Sequence, residues 1–277
     1  MTTLSATSTP TLAFIGGGNM ASAIIGGLIR GGTPVDRLIV VEPWDVQRDK
    51  LRADFGIEAL AVAGPELARA DAVVWAVKPQ SFKEAIAPVA AQVGRALHLS
   101  VMAGIRSDAI AQGTGTERVV RSMPNTPALI GMGITGLYAR PAVTEADRAL
   151  VEHLLAATGE RVWVRQESDL DAVTALSGSG PAYVFYFIET MMAAAEQMGL
   201  GAEAGKQLAI ATFAGATELA RRSPETPATL RERVTSKGGT TYAALTTLNE
   251  AGVNTAFIAA LKAAQDRARE LGDEFGR

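Results

Sequence analysis

A chain of 277 residues with a net charge of -3 is long enough for two domains and carries no basic excess for holding nucleic acid. At 48% hydrophobic and 5% aromatic it reads as a soluble globular protein. Its lack of cysteine excludes a disulfide scaffold, a thiolate nucleophile and an iron–sulfur or cysteine-ligated zinc site, so no metal is expected.

The opening MTTLSATSTP (1–10) is polar and has neither a basic nor an apolar leader region. A flexible tail and a cytoplasmic protein are the expectations. Thr11 to Gly31, TLAFIGGGNMASAIIGGLIRG, follows, with Leu12, Phe14 and Ile15 as a buried parallel strand. Gly16, Gly18 and Ala21 fit G-x-G-x-x-G/A, in which the first glycine makes the turn and the second admits a pyrophosphate. A helix from Asn19 through Met20 to Ile29 presents its free N–H groups and positive end to phosphate.

Leu38–Glu42 reads as the second strand. Glu42 stands about twenty residues beyond Ala21, where a dinucleotide fold places the acid that accepts the adenosine ribose hydroxyls. A carboxylate there repels a ribose 2′-phosphate and leans towards NADH, while Arg48 can relax that preference. Asp45–Phe55 reads as a helix, Ile57–Leu60 as a weak strand and Pro65–Ala70 as a short helix. Ala72–Val77 reads as a buried strand ending at Lys78-Pro79. Strand ends of an open α/β sheet face the ligand crevice, which places Lys78 near ribose or phosphate.

Leu97–Met102, closing on Ala103, and Arg118–Ser122 read as further strands, with a helix to Gln112 between them. Two prolines then bracket Asn125 and Thr126 in a stiff turn that suits the nicotinamide end. Ile134–Ala139, a helix over Ala146–Ala157 and Arg161–Val164 complete the sheet. His98 and His153, the chain's two histidines, fall in a buried strand and a helix and read as structural.

From Glu167 strand patterns give way to alanine-rich helical ones. The expected division is therefore a tail at 1–10, a dinucleotide-binding domain at 11–166 and a helical domain at 167–277. Ala182–Met198 is apolar on nearly every face and asks for a partner subunit, while Glu189 keeps it short of a membrane span. Further helices are expected at Ala202–Arg222, Pro227–Val234, Thr241–Ala251 and Thr255–Leu271. Before the third of these lies VTSKGGTT, where Ser236, Gly238, Gly239, Thr240 and Thr241 form a small-anion pocket matched to a carboxylate.

GGGNMA (16–21), AVKP (76–79), RSMPNTP (121–127), SGSGPAYVF (177–185) and VTSKGGTT (234–241) occur in one order over nearly the whole chain. Together they resemble the pyrroline-5-carboxylate reductase family, the last enzyme of proline synthesis. The resemblance implies a Rossmann-type parallel-sheet domain followed by an all-α dimerisation domain, with higher assemblies of dimers in many members. It implies that NADPH or NADH reduces a small cyclic imine acid, with no part for nucleic acid or membrane. By position it implies that Ser236, Gly239 and Thr240 hold the substrate carboxylate and that Thr241 offers its hydroxyl to the ring nitrogen. Glu167 carries over near the substrate or nicotinamide, and Ala76, Val77, Lys78, Pro79, Ala103 and Asn125 carry over to the cofactor side. Two departures stand out: Lys237 replaces a frequent proline, and Glu42 stands where NADPH-preferring relatives often carry small or basic residues. A β-hydroxyacid dehydrogenase also begins with such a glycine turn, but it needs a lysine that Ala182–Gly199 lacks. A nucleotide-sensing protein without turnover would leave the carboxylate pocket idle.

Overall fold

The computed structural model describes residues 9–275; most of the expected tail, 1–8, lies outside them. The first strand, β1 (Leu12–Ile15), is buried at every position. It runs through the glycine turn into α1 (Asn19–Arg30), then β2 (Leu38–Val41), α2 (Asp45–Phe55) and β3 (Ala72–Trp75). After the short helices α3 (Phe82–Ile86) and α4 (Ala90–Val93) come β4 (Leu97–Ser100), α5 (Ser107–Thr114), β5 (Val119–Met123) and β6 (Gly133–Ala139). The last sheet elements are α6 (Glu145–Leu155) and β7 (Gly159–Trp163), with α7 (Asp169–Val173) and a π turn at Thr174–Gly178 following.

The seven strands lie in the order β2-β1-β3-β4-β5-β6-β7, all parallel to their neighbours except the antiparallel pair β5–β6. Both faces are covered. Leu12, Phe14 and Val74 join one apolar cluster with Ile24, Ile25 and Leu51, whereas Ala13, Ile15 and Trp75 join another with Phe82 and Ile110. Two-sided burial is why the strands read as continuous apolar runs. The expected strand at 57–60 is reduced to a single bridge: Leu60 N–H donates to Val40 O at 2.8 Å and Glu42 N–H to Leu60 O at 2.8 Å. The chain then leaves the sheet edge for the 3₁₀ turn Pro65–Arg69.

His98 is fully buried on β4. Its Nδ1 accepts the Trp75 indole N–H at 2.9 Å, which leaves Nε2 to donate to Val93 O at 3.1 Å. Burial pushes its pKa down to about 4, so the ring is neutral and serves the core.

The remaining helices are α8 (Gly180–Gln197), α9 (Ala202–Arg222), α10 (Pro227–Arg233), α11 (Thr240–Glu250) and α12 (Val253–Phe275). Two compact units result: one up to Ser179 together with the stretch from Ala264, the other Gly180–Ala263. The compact division thus falls later than the loss of strand pattern at Glu167. The reason is packing: Leu170 and Val173 of α7 lie against Gly136 of β6, where a Cβ would come 2.7 Å from Val173 Cγ1. In the Gly180–Ala263 unit the buried residues are Ala195, Gly205 and Ala209, all small. Phe185, Leu208 and Ile258 stay 58%, 54% and 53% exposed, so this unit has no core of its own to close over its apolar faces.

Candidate active site

In the sheet order β1 lies between β2 and β3, so the chain leaves β1 to one side and later returns to the other. Ligands of open α/β sheets bind outside the strand ends at such a switch point. The glycine turn sits there. Gly16 has φ +97°, and a Cβ on it would lie 2.7 Å from the Ala76 carbonyl oxygen, so neither a side chain nor ordinary backbone geometry is tolerated. Gly17 is fastened at both ends. Its N–H donates to Glu42 Oε2 at 2.8 Å, and its carbonyl accepts Gln47 Nε2 at 2.5 Å and Ser22 Oγ at 3.2 Å.

Gly18 differs: nothing lies within 4 Å of where its Cβ would be. It caps α1 without a side-chain hydrogen bond, and the first turn holds no acid. The first helical bond runs from Ser22 N–H to Gly18 O at 2.9 Å. The N–H groups of Asn19, Met20 and Ala21 therefore have no backbone acceptor among the described residues. Room beside Gly18 and free donors at a positive helix end fit a pyrophosphate. Met20 turns its side chain to the core and contributes only backbone.

Glu42 follows β2 and is 7% exposed. Besides Gly17 it accepts Trp44 N–H at 3.0 Å through Oε1, so its carboxylate shapes the glycine turn as well as facing the crevice. Arg48 Nη1 donates to the carbonyls of Glu42 at 3.0 Å and Pro43 at 2.6 Å, which holds the guanidinium on the turn beside that acid. Gly16, Gly18, Asn19, Glu42, Ala76, Val77 and Lys78 line one cavity. Trp44, Gln47 and Ser81 line it too, and the sequence reading did not single them out. Their signal was position: Trp44 and Gln47 come directly after a strand end, at the start of the next helix. Lys78 Nζ lies 5.7 Å from the Trp44 ring centre, a cation–π contact. Pro79 opens the 3₁₀ turn Pro79–Ser81, and Ala103 is exposed just beyond β4.

Two other singled-out side chains have partners within the sheet unit. Asn125 Nδ2 donates to Ser177 O at 3.1 Å, and its Oδ1 accepts Ile134 N–H at 3.0 Å. Glu167 accepts Ser107 N–H at 2.7 Å and Ser107 Oγ–H at 2.5 Å, and pairs with Arg121 Nη1 at 3.0 Å. It caps α5 from outside and ties β5 to the stretch before α7.

In the helical unit the second glycine turn precedes α11. Gly238 is left-handed at φ +76°, and Gly239 caps the helix without a side-chain hydrogen bond. Gly239 N–H is already given to Ser236 O at 3.0 Å, and the first helical bond is Ala243 N–H to Gly239 O at 3.1 Å. Among the described residues the helix-start N–H groups of Thr240, Thr241 and Tyr242 therefore have no backbone acceptor. Ser236 Oγ would lie 2.7 Å from a Cβ on Gly239, so the hydroxyl sits directly over the cap. Among the described residues no hydrogen bond engages the hydroxyls of Ser236, Thr240 or Thr241. No acid stands in the first turn, and such an end suits a small carboxylate. Both histidines belong to the sheet unit, His98 in its core and His153 exposed on α6.

Comparison with known proteins decides the family. The chain is 42% identical to the pyrroline-5-carboxylate reductase of Pseudomonas aeruginosa over 98% of its own length and 100% of that protein. The chain belongs to the pyrroline-5-carboxylate reductase family. The Vibrio alginolyticus member is 40% identical over 94% of this chain and 97% of that protein. Residues 167–271 match the family model for pyrroline-5-carboxylate reductase dimerisation, and residues 11–104 match that of coenzyme F420-dependent NADP oxidoreductases. Among solved structures, a pyrroline-5-carboxylate reductase from Coxiella burnetii superposes with a TM-score of 0.87 at 36% identity, covering 95% of this chain and 99% of that one. The Plasmodium falciparum pyrroline carboxylate reductase, solved with NADP bound, gives 0.84 at 27% identity, covering 96% and 100%. The Rossmann-type sheet domain and helical dimerisation domain are thus the family's fold.

Proposed function

We propose that this protein reduces 1-pyrroline-5-carboxylate to L-proline with NAD(P)H, the last step of proline biosynthesis. Full-length similarity to curated reductases carries the reading, and two uncapped glycine-led helix starts supply the matching chemistry. The relative from Plasmodium falciparum, whose structure holds NADP, supports a nicotinamide dinucleotide as the cofactor. When bound, the reduced nicotinamide supplies the hydride. Gly16, Gly18, Asn19 and the backbone of Met20 would hold the pyrophosphate, and Glu42 the adenosine ribose. Ala76, Val77, Lys78, Pro79 and Ala103 would line the path towards the nicotinamide.

On the substrate side, the N–H groups of Thr240 and Thr241, with the Ser236 hydroxyl, would hold the carboxylate, Gly238 and Gly239 letting the backbone come close. Thr241 would orient the ring nitrogen, and water would bring its proton. A protonated imine is already electrophilic, so no histidine acid–base pair is needed. Holding two partners in near-attack geometry supplies about 7–11 kcal/mol by itself. Glu42 leans the preference to NADH, and the preplaced Arg48 moderates it. The working form would be a cytoplasmic homodimer, with further pairing of dimers, built through residues 167–277 while 11–166 bind the dinucleotide. Following reduced-nicotinamide absorbance with pyrroline-5-carboxylate and each cofactor in turn tests this. Absence of turnover with both would refute it.

A further inference from the structure

Asn125 stands just past β5, which runs parallel to β4 and so ends at the same sheet edge as the glycine turn. With the adenosine ribose at β2 and the pyrophosphate at β1, the rest of a dinucleotide runs towards β3, β4 and β5. Near the end of β5 lies the π turn Thr174–Gly178, closed by Ser179 N–H to Thr174 O at 2.8 Å. It fits tightly against the end of β5: a Cβ on Gly178 would come 2.6 Å from Met123 Cε.

The sequence explains why that turn needs help. In a helix continued from Ser177, its carbonyl would accept from residue 181, and residue 181 is a proline with no N–H. Buried or half-buried carbonyls need a donor from elsewhere. Asn125 Nδ2 supplies it at 3.1 Å, while Oδ1 and the main-chain carbonyl of the same residue anchor Ile134 N–H at 3.0 Å and Ala128 N–H at 3.1 Å. One side chain therefore joins the end of β5, the start of β6 and the π turn. We infer that Asn125 is a positioning residue, a latch that holds the π turn as the wall of the nicotinamide end through the carbonyl Pro181 leaves unpaired. The inference rests on the reductase reading.

Asn125→Asp keeps the acceptor for Ile134 and loses the donor to Ser177. In the full-length protein its kcat for pyrroline-5-carboxylate reduction should fall about ten- to a hundredfold, as expected for misplaced reacting groups. The deuterium isotope effect from 4-deuterated reduced nicotinamide should rise as hydride transfer becomes limiting. ADP-ribose affinity by calorimetry should stay within about twofold, because the glycine turn lies three strands away. Adding Pro181→Ala restores a backbone donor for Ser177, so the Asn125→Asp/Pro181→Ala protein should regain Tm without regaining kcat. Recovery of kcat together with Tm would show that the bond only satisfies a carbonyl, and would overturn the latch. So would an unchanged kcat in Asn125→Asp, or a parallel loss of ADP-ribose affinity. Wild-type turnover in the same series separates the readings: an inactive wild type overturns the reductase assignment, whereas an active wild type with an unaffected variant overturns the latch alone.

Discussion

The glycine turns at Gly16–Gly18 and Gly238–Gly239 solve the same electrostatic problem in different surroundings. Each leads into a helix that lacks a side-chain cap and a first-turn acid. Contrast α6, where Thr144 and Asp147 form a capping box that satisfies the orphan N–H groups internally. The first turn is framed by its own unit, with Glu42, Gln47, Ser22 and the Ala76 backbone all fixing it. The second stands on helices with no buried large side chain. On the proposed reading the dinucleotide turn is framed by its own unit, while the acid-holding turn stands in a unit whose apolar faces need a cover, which the family's dimerisation match supplies as a second copy.

Breaking the dimer should have the largest effect. Phe185→Arg combined with Leu208→Arg puts two charges on exposed apolar positions, each worth about 2 kcal/mol or more if central to an interface. Sedimentation should show monomers and turnover should vanish, while ADP-ribose binding survives. Loss of both activities together would mean that the sheet unit is not self-sufficient.

Gly16→Ala comes next. With φ +97° and a backbone oxygen in the way, ADP-ribose affinity should fall about a hundredfold, with a lower Tm. Gly18→Ala sharpens the point, since its Cβ meets only the space meant for phosphate: affinity should fall with Tm unchanged.

The framed unit also carries a pH signature. His98 titrates near 4 in the folded protein against an ordinary 6.5, so the unfolded chain takes up a proton first as pH falls. Stability is full above 6.5 and drops by about 3 kcal/mol on the way to 4. Denaturant titrations of wild type and His98→Gln should differ in slope over that window. Thr241→Val is the smallest expected change: kcat/KM should fall about tenfold, as for one lost hydrogen bond, with Tm held. An unaffected kcat/KM would remove Thr241 from the chemistry.

Local chemistry made much of this legible in advance. The strands β1, β2 and β3, buried at every position, are apolar throughout, and the turn at Gly16 declares itself because a positive φ against a neighbouring strand admits only glycine. Long-range pairing was not legible. Glu167 is expected near the substrate or nicotinamide, and nothing local says that its carboxylate caps α5 sixty residues earlier in the chain. Asn125 stands in a turn bracketed by prolines, and nothing local says that its amide donates to Ser177 O, fifty-two residues later in the chain. Gly239 looks like a donor to the substrate, but its N–H closes a local turn on Ser236, which moves the open donors one residue on. The late unit boundary was hidden for the same reason, because helical periodicity in α7 does not say which layer it packs against.

Helix α12 begins among the helices and finishes on the sheet unit, where Arg106 donates to Gly272 O at 3.3 Å and pairs with Asp273 at 2.6 Å. The sheet unit is consequently interrupted, with its last stretch, from Ala264, arriving only after the whole helical insertion. A ribosome must finish that insertion before the first half can close, so the sheet unit is expected to complete its fold only after the helical insertion has been made. Trimming the carboxyl end would harm the nucleotide-binding half, although that half is encoded first.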